Sequence, residues 1–254
     1  MKLNLGDIIP TSTLDWPGKV VLVVFTRGCP LRCPYCSNGR LIDSPEDGDT
    51  DIEYIQERIK DAADFIDGVV FSGGEPFMQP LAIKELASYA KGIGLLIGAH
   101  TNGAYPDRIG SMAGDGLLDA IFLDVKAPLE YEAYGAVGGK VDRATFEAIK
   151  RSVALCCSLR KSQKIRHLEI RTTVFRGISD KPSDIEKIAG AIGFADEYVI
   201  QQGRPEVAMD EKIKALDAVP RSELLGLAGA ARNASRSIGS IKVRTHIFGD
   251  EIVG

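Results

Sequence analysis

The sequence predicts an α/β fold: a partial (β/α)6 barrel of the TIM type, with parallel strands and short N-terminal and C-terminal extensions. Three observations predict it. Short β-branched runs alternate with helical patterns along most of the chain. The first run, KVVLVVF at 19–25, is almost continuously apolar, as a strand buried on both faces requires. Each run is followed at once by polar or Gly-rich residues, and a barrel of parallel strands gathers such ends at one mouth.

The elements follow in order. Ile52, Ile55, Ile59, Ala62 and Ala63 form a helical stripe across 51–65. A strand at 69–71 precedes a helix at 81–91, and a strand at 95–99 precedes a helix at 107–112 after Pro106. The next pair is a strand at 120–125 and a long helix at 143–159. Then come a strand at 168–175, a helix at 183–192 and a sixth strand at 198–201. Ser183 and Glu186 have the spacing of a capping box. Six units fall short of the eight in a closed barrel, and 254 residues suit a partial one. After Gln202 the pattern changes to helices at 209–216 and 223–232 and a last strand at 241–248. With no repeat, low-complexity tract or long linker, we expect a single domain over 1–254, its core barrel at about 18–202 and an extension at 203–254.

A composition of 44% hydrophobic and 26% charged residues argues against disorder. No apolar run approaches the ~20 residues that span a membrane, and 1–18 lacks the features of a secretory signal. Five cysteines do not make a disulfide scaffold and suit a reducing cytoplasm. A formal charge of −4 argues against a broad polyanion-binding surface, so nucleic acid is not an expected partner. The basic cluster Arg160, Lys161, Lys164 and Arg166 reads as a solvated helix end and loop.

The chemistry lies at the predicted mouth. The stretch TRGCPLRCPYCSN, 26–38, places Cys29, Cys33 and Cys36 in a C-x3-C-x2-C spacing. Three thiolates can hold three irons of a four-iron, four-sulfur cluster that normally takes four cysteines, leaving one iron open. A zinc site is the alternative, but zinc ligands usually come as C-x2-C pairs. Cys156 and Cys157 are adjacent in a helical pattern and supply no second pair. They read as small hydrophobes on a packed helix face. The other strand ends carry Ser72-Gly73-Gly74-Glu75-Pro76, His100-Thr101-Asn102-Gly103, Asp124-Val125-Lys126, Arg171-Thr172-Thr173 and Gln201-Gln202. Gly73 and Gly74 allow a close backbone approach or a tight turn. Arg27 and Arg32 either tune a cluster electrostatically or face solvent.

These residues resemble the radical S-adenosylmethionine (SAM) superfamily, whose signature is this cysteine spacing with an aromatic, here Tyr35, before the third cysteine. The SGGEP stretch resembles the superfamily's GGE motif, which contacts the SAM amino group. Thr101-Asn102-Gly103 and Asp124-Val125-Lys126 resemble the TNG and DLK elements of glycyl-radical-enzyme activases. TLDWPG at 13–18, IQQGRP at 200–205 and IKVRTH at 241–246 resemble the anaerobic ribonucleoside-triphosphate reductase activating-protein family. There the second of these usually reads QQFRP, so Gly203 stands where that family has an aromatic.

The resemblance implies a 4Fe-4S cluster on Cys29, Cys33 and Cys36 with SAM on its open iron. It also implies a SAM site built from Gly73, Gly74, Glu75, Thr101, Asn102, Asp124, Lys126 and Arg171. Tyr35 would pack near adenine or seal the cluster loop. Activases of this kind often carry an Asp before TNG that helps bind a monovalent cation. His100 stands there, so that site is not carried over, and the sequence leaves the charge of His100 open. The implied reaction takes an electron from a flavodoxin- or ferredoxin-type donor and cleaves SAM to a 5′-deoxyadenosyl radical. That radical would abstract hydrogen from a backbone glycine of a partner enzyme, with anaerobic ribonucleotide reductase the expected one. Another peptide, a small molecule or a nucleotide is the alternative substrate. A non-catalytic iron–sulfur electron carrier is the alternative of another class, disfavoured by the missing fourth cysteine.

Overall fold

The computed structural model describes residues 1–43, 49–139 and 141–253. The apolar run at 19–25 becomes β2 (Val21–Thr26), the centre of a sheet whose parallel strands run on through β4 (Gly68–Gly73), β5 (Leu96–Thr101) and β6 (Ala120–Asp124). The sheet continues through β7 (His167–Val174) and β8 (Ala195–Gln202). The C-terminal segment adds a seventh parallel strand, β9 (Ile238–Thr245), beside β8. It starts and ends three residues earlier than the expected strand at 241–248, and 246–248 form a turn.

Three antiparallel strands were not foreseen. β1 (Lys2–Ser12) lies on β2, β3 (Asp49–Asp51) on β1, and β10 (Gly249–Val253) on β9. Among the described residues the order is β10-β9-β8-β7-β6-β5-β4-β2-β1-β3, a curved sheet that does not close.

The helices α1 (Ile52–Ala62), α2 (Pro80–Gly92), α3 (Pro106–Gly114), α5 (Arg143–Lys161) and α6 (Pro182–Ala191) match the expected periodicity. The four-residue α7 (Glu211–Lys214) and α8 (Arg221–Ala234) follow the sixth unit. α4 (Tyr131–Gly138) was not foreseen, because its glycines depress helix propensity. The expected capping box at Ser183 does not form. Pro182, whose fixed φ suits a first helical position, starts α6 with Lys181 as N-cap and no side-chain cap bond. Among the described residues no helix is long and apolar enough to cross a membrane.

Alternation along each strand divides the core in two. One face, with Leu22, Val24, Val69, Phe71, Ile121 and Leu123, packs beneath the helices. Cys156 and Cys157 lie in that layer on α5, where burial raises both thiols, as expected of inert core cysteines. The opposite face lines the lumen. Val21, Val23, Val70, Ala120 and Phe122 there surround Trp16, whose ring meets Phe122 edge-on at 5.8 Å. The TLDWPG stretch thus plugs the lumen, and Gly98 gives it room: a Cβ there would stand 3.0 Å from the indole.

Beyond Phe122 the lumen is charged. Glu169 is buried between Arg171 and Arg244, and Arg244 also holds Asp250 at 2.6 Å. Burial alone would raise the Glu169 carboxyl, but Arg171 and Arg244 outweigh it and hold it at about 2. His167, Glu169 and Glu197 present ligand atoms within 4.8 Å of one another. Their carboxylates are already paired with Arg171, Arg244 and Lys242, three cations that repel a metal ion. Replacing Glu169 with Ala leaves two buried guanidinium groups short of a partner. We expect a loss of about 3–5 kcal/mol in denaturant unfolding; a loss below about 1 kcal/mol would mean the lumen ion pairs are solvent-screened.

Candidate functional site

The cysteine loop leaves the end of β2 and is stitched to its neighbours through backbone bonds. Gly28 N donates to Leu41 O at 2.9 Å, Cys29 N to Ile42 O at 3.0 Å and Cys36 N to Cys33 O at 3.0 Å. Arg27 donates to the carbonyls of Leu5 and Arg40, and Arg32 to those of Cys29 and Leu31. Both arginines therefore buttress loop carbonyls, a role the sequence did not indicate.

The end of β4 clamps the same loop from the other side. Gly74 N donates to Thr26 O at 2.9 Å and Glu75 N to Gly28 O at 2.8 Å. A Cβ on Gly73, whose φ is +112°, would lie 2.4 Å from Thr26 backbone atoms, and one on Gly74 would lie 2.2 Å from Gly28 O. What approaches this pair closely is the backbone of the cysteine loop.

Glu75 follows at the same strand end. It is fully buried, and its carboxylate accepts from Thr101 Oγ1 at 2.9 and 3.0 Å, Asn102 N at 2.8 Å and Phe77 N at 3.2 Å. Those three donors, with Thr101 Oγ1 reaching both oxygens, take up most of the carboxylate's acceptor positions. Glu75 instead fixes the end of β5. Burial pushes its carboxyl up to about 7, against the pull of those same donors. Asn102, so anchored, points Nδ2 at Cys29 Sγ, 3.5 Å away.

The three thiols face a common volume. Burial raises each of them, Cys29 to about 12; Cys33 adds to the cost of ionising Cys29, and Cys36 to that of Cys33. The Lys126 ammonium acts in the opposite sense on all three. Lys126 pairs with Asp124 at 3.1 Å and lies 5.9 Å from the centre of the Tyr35 ring. Burial opposes its charge, but Asp124 together with Tyr35, Cys33 and Tyr134 outweighs this and favours the protonated form. Asp124, 40% exposed at its side chain, faces the opening.

Tyr35 is only 6% exposed and stacks on Phe175 with ring centres 4.8 Å apart. Of its two expected roles, sealing the loop is the one this packing supports. Arg171 pairs in register with Asp124 across β6 and β7. It binds Glu169 through Nε, approaches His100 Nδ1 at 3.5 Å through Nη1, and leaves Nη2 buried with no partner among the described residues. His100 donates from Nε2 to Asp15 O at 2.8 Å, and burial followed by Arg171 pushes it down to about 4. It is a neutral core histidine.

Cys29, Cys33, Cys36, Asp124 and Lys126 thus share one volume, with Thr101 and Asn102 at its edge, Tyr35 sealing it and Arg171 below. Gln201 and Gln202 do not join them: Gln202 bonds Val219 O and His246 N. Sequence reasoning missed Phe175 and Tyr134, whose hydroxyl accepts the Lys126 N–H at 3.1 Å. Phe175, directly after β7, was findable as an apolar residue at a polar strand end; Tyr134 lies on the unforeseen α4. A cavity of about 250 Å³ adjoins Lys126 between α4 and α6, lined by Ala127, Val137, Thr172, Ser179 and Ile185 among others.

The residues fit the groups that the cysteine spacing calls for. Soft thiols in a dry pocket beside one cation suit an iron–sulfur cluster. The orphaned Arg171 Nη2 is a charged donor suited to a carboxylate.

Comparison with known proteins agrees. Residues 23–192 match the family model of the radical SAM superfamily. A Methanocaldococcus jannaschii protein, assigned provisionally as a glycyl-radical enzyme activating enzyme, is 34% identical over 248 residues, 96% of this chain and 97% of that one. The pyruvate formate-lyase-activating enzyme of Clostridium pasteurianum is 27% identical over 193 residues, 74% of this chain and 76% of that one. Among solved structures, TYW1 with a lysine-pyruvate adduct bound has a TM-score of 0.60 over 87% of this chain and 75% of that chain. At 16% identity this is a likeness of fold alone.

Glu75 gives this site a pH signature. Its carboxyl rises from 4.5 to about 7 on folding, so between those values the folded chain holds a proton that the unfolded chain releases. Stability from this group therefore falls as pH rises through that window, by about 3 kcal/mol in all. In the metal-free chain, the stability difference between wild type and Glu75→Gln should shift by that amount from pH 4.5 to 7. A difference that stays flat would mean Glu75 is not held in a dry site.

Proposed function

We propose a function from one premise: this chain belongs to the radical SAM superfamily, whose model spans residues 23–192. It is a radical SAM enzyme, and members of the superfamily use a 4Fe-4S cluster and SAM. A bound cluster and SAM would supply the one-electron reductive cleavage of a carbon–sulfur bond that the superfamily uses to start hydrogen abstraction from a substrate.

In our reading Cys29, Cys33 and Cys36 hold three irons, and the chain offers no fourth thiol, since Cys156 and Cys157 are buried on α5. That leaves one iron for the amino and carboxylate groups of SAM. Lys126 offsets negative charge around the thiolates, and Asp124 holds Lys126 at the opening. The free Arg171 Nη2 receives the SAM carboxylate. Asn102 fixes the environment of the Cys29 sulfur, while Glu75, Gly73 and Gly74 hold the walls in register. Tyr35 and the apolar residues around Cys33 exclude water.

The substrate we propose is a backbone glycine of a partner polypeptide, with the anaerobic ribonucleotide reductase the first candidate. One observation carries this reading. The 34% identity to a relative provisionally assigned to glycyl-radical activation extends beyond 23–192 to 96% of the chain, so it includes the parts outside the shared superfamily match. The electron donor is of the flavodoxin or ferredoxin kind, the location a reducing cytoplasm, and 1–254 one domain.

Anaerobic reconstitution followed by dithionite and SAM tests the chemistry. We expect a visible cluster band and 5′-deoxyadenosine above the no-enzyme background, both abolished in Cys33→Ala. If either survives that change, the ligand assignment is wrong. Mixing the loaded enzyme with a glycyl radical enzyme should give a glycyl doublet by electron paramagnetic resonance. Robust SAM cleavage with no doublet on the anaerobic reductase or another glycyl radical enzyme would redirect the substrate elsewhere.

A further inference from the structure

Gly203 interrupts a stretch, IQQGRP, whose counterpart in the resembling family carries an aromatic. Its surroundings explain the absence of a side chain. A Cβ at this position would lie 2.7 Å from Phe175 Cζ, 2.8 Å from Phe175 Cδ1 and 2.7 Å from Val174 O. The space in front of Gly203 is filled by the Phe175 ring. That ring is held by its own backbone: Phe175 N donates to Ser179 Oγ at 3.0 Å, and Phe175 O accepts from Ile178 N and Ser179 N, both at 3.1 Å. Gly203 N donates to Val174 O at 2.9 Å, which ties the two strand ends together.

From there the packing runs into the cysteine loop. Phe175 is buried and stacks on Tyr35, with ring centres 4.8 Å apart and an interplanar angle of 28°. Tyr35 stands between Cys33 and Cys36, and Lys126 Nζ lies 5.9 Å from its ring centre while held by Asp124. Cys33, Tyr35 and Phe175 belong to one buried cluster, with Cys29 and Cys36 packed against it.

We propose that Phe175 is a positioning residue for the cluster-binding loop: it supplies from the end of β7 the ring that position 203 does not, and Gly203 exists to make room for it. The ring sets the orientation of Tyr35, which in turn covers the thiols and braces Lys126. This rests on the reading of Cys29, Cys33 and Cys36 as the cluster ligands. An aromatic pair of this kind is worth roughly a 2- to 10-fold effect on an equilibrium or a rate.

The test uses the reconstituted full chain and two readouts other than activity: the rate at which a chelator bleaches the visible band, and the midpoint potential of the cluster. Phe175→Leu keeps the buried volume close while removing the ring. It should bleach about 2- to 10-fold faster and shift the potential, at an unchanged far-ultraviolet circular dichroism spectrum. Phe175→Tyr keeps the ring and should restore both values to those of wild type. Gly203→Phe drives a side chain against both the Phe175 ring and the Val174 carbonyl and should destabilise the loop. A folded Phe175→Leu chain with wild-type bleaching and potential overturns the inference. A wild-type chain that takes up iron without the visible band overturns instead the ligand assignment, and the inference with it.

Discussion

The backbone of residues 73–75 lies so close to that of residues 26–28 that neither Gly73 nor Gly74 has room for a Cβ, and two backbone bonds of 2.8 and 2.9 Å close the gap. The rest of the site depends on this contact. It seats the cysteine loop on the end of a rigid parallel strand rather than leaving it to flex. It also buries Glu75, whose carboxylate then gathers Thr101 and Asn102 and brings Asn102 against Cys29. Three strand ends are thereby locked into one rim before any cofactor is bound.

Electrostatics completes what the backbone begins. Dry surroundings raise the thiols and keep them protonated in the free chain, while Lys126, anchored by Asp124, eases their ionisation when iron replaces the protons. Beneath them the charged lumen holds Arg171 from two sides, through Glu169 and the neutral His100, leaving a single guanidinium nitrogen free to act. The site is therefore prepared for anionic sulfur and for a carboxylate. The positive charge that receives them comes from two residues on adjacent strands.

The parallel sheet and the thiols were legible in the sequence because both are local signals. A six-residue apolar run, Val20 to Phe25, specifies a buried strand, and the spacing of Cys29, Cys33 and Cys36 is set within eight residues. Partnerships between distant segments were not legible. Nothing in SGGEP indicates that Thr101 and Asn102 would donate to Glu75 from 26 and 27 residues away. Tyr35 was open to two roles until Phe175, 140 residues on, was seen to cover its ring. The antiparallel strands β1 and β10 escaped notice because their faces are half-exposed and lack a continuous apolar run. The lowered basicity of His100 was not legible either, because it comes from burial and from Arg171, 71 residues on, against the opposing pull of Asp15.

Every element of the account converges on an asymmetric cluster, three irons held by cysteine and one left for SAM. Mössbauer spectroscopy of the iron-57-loaded enzyme, recorded before and after addition of SAM, tests this most directly. The account predicts that the parameters of one iron in four shift toward a higher coordination number while the other three stay as they were. Four irons indifferent to SAM would contradict it.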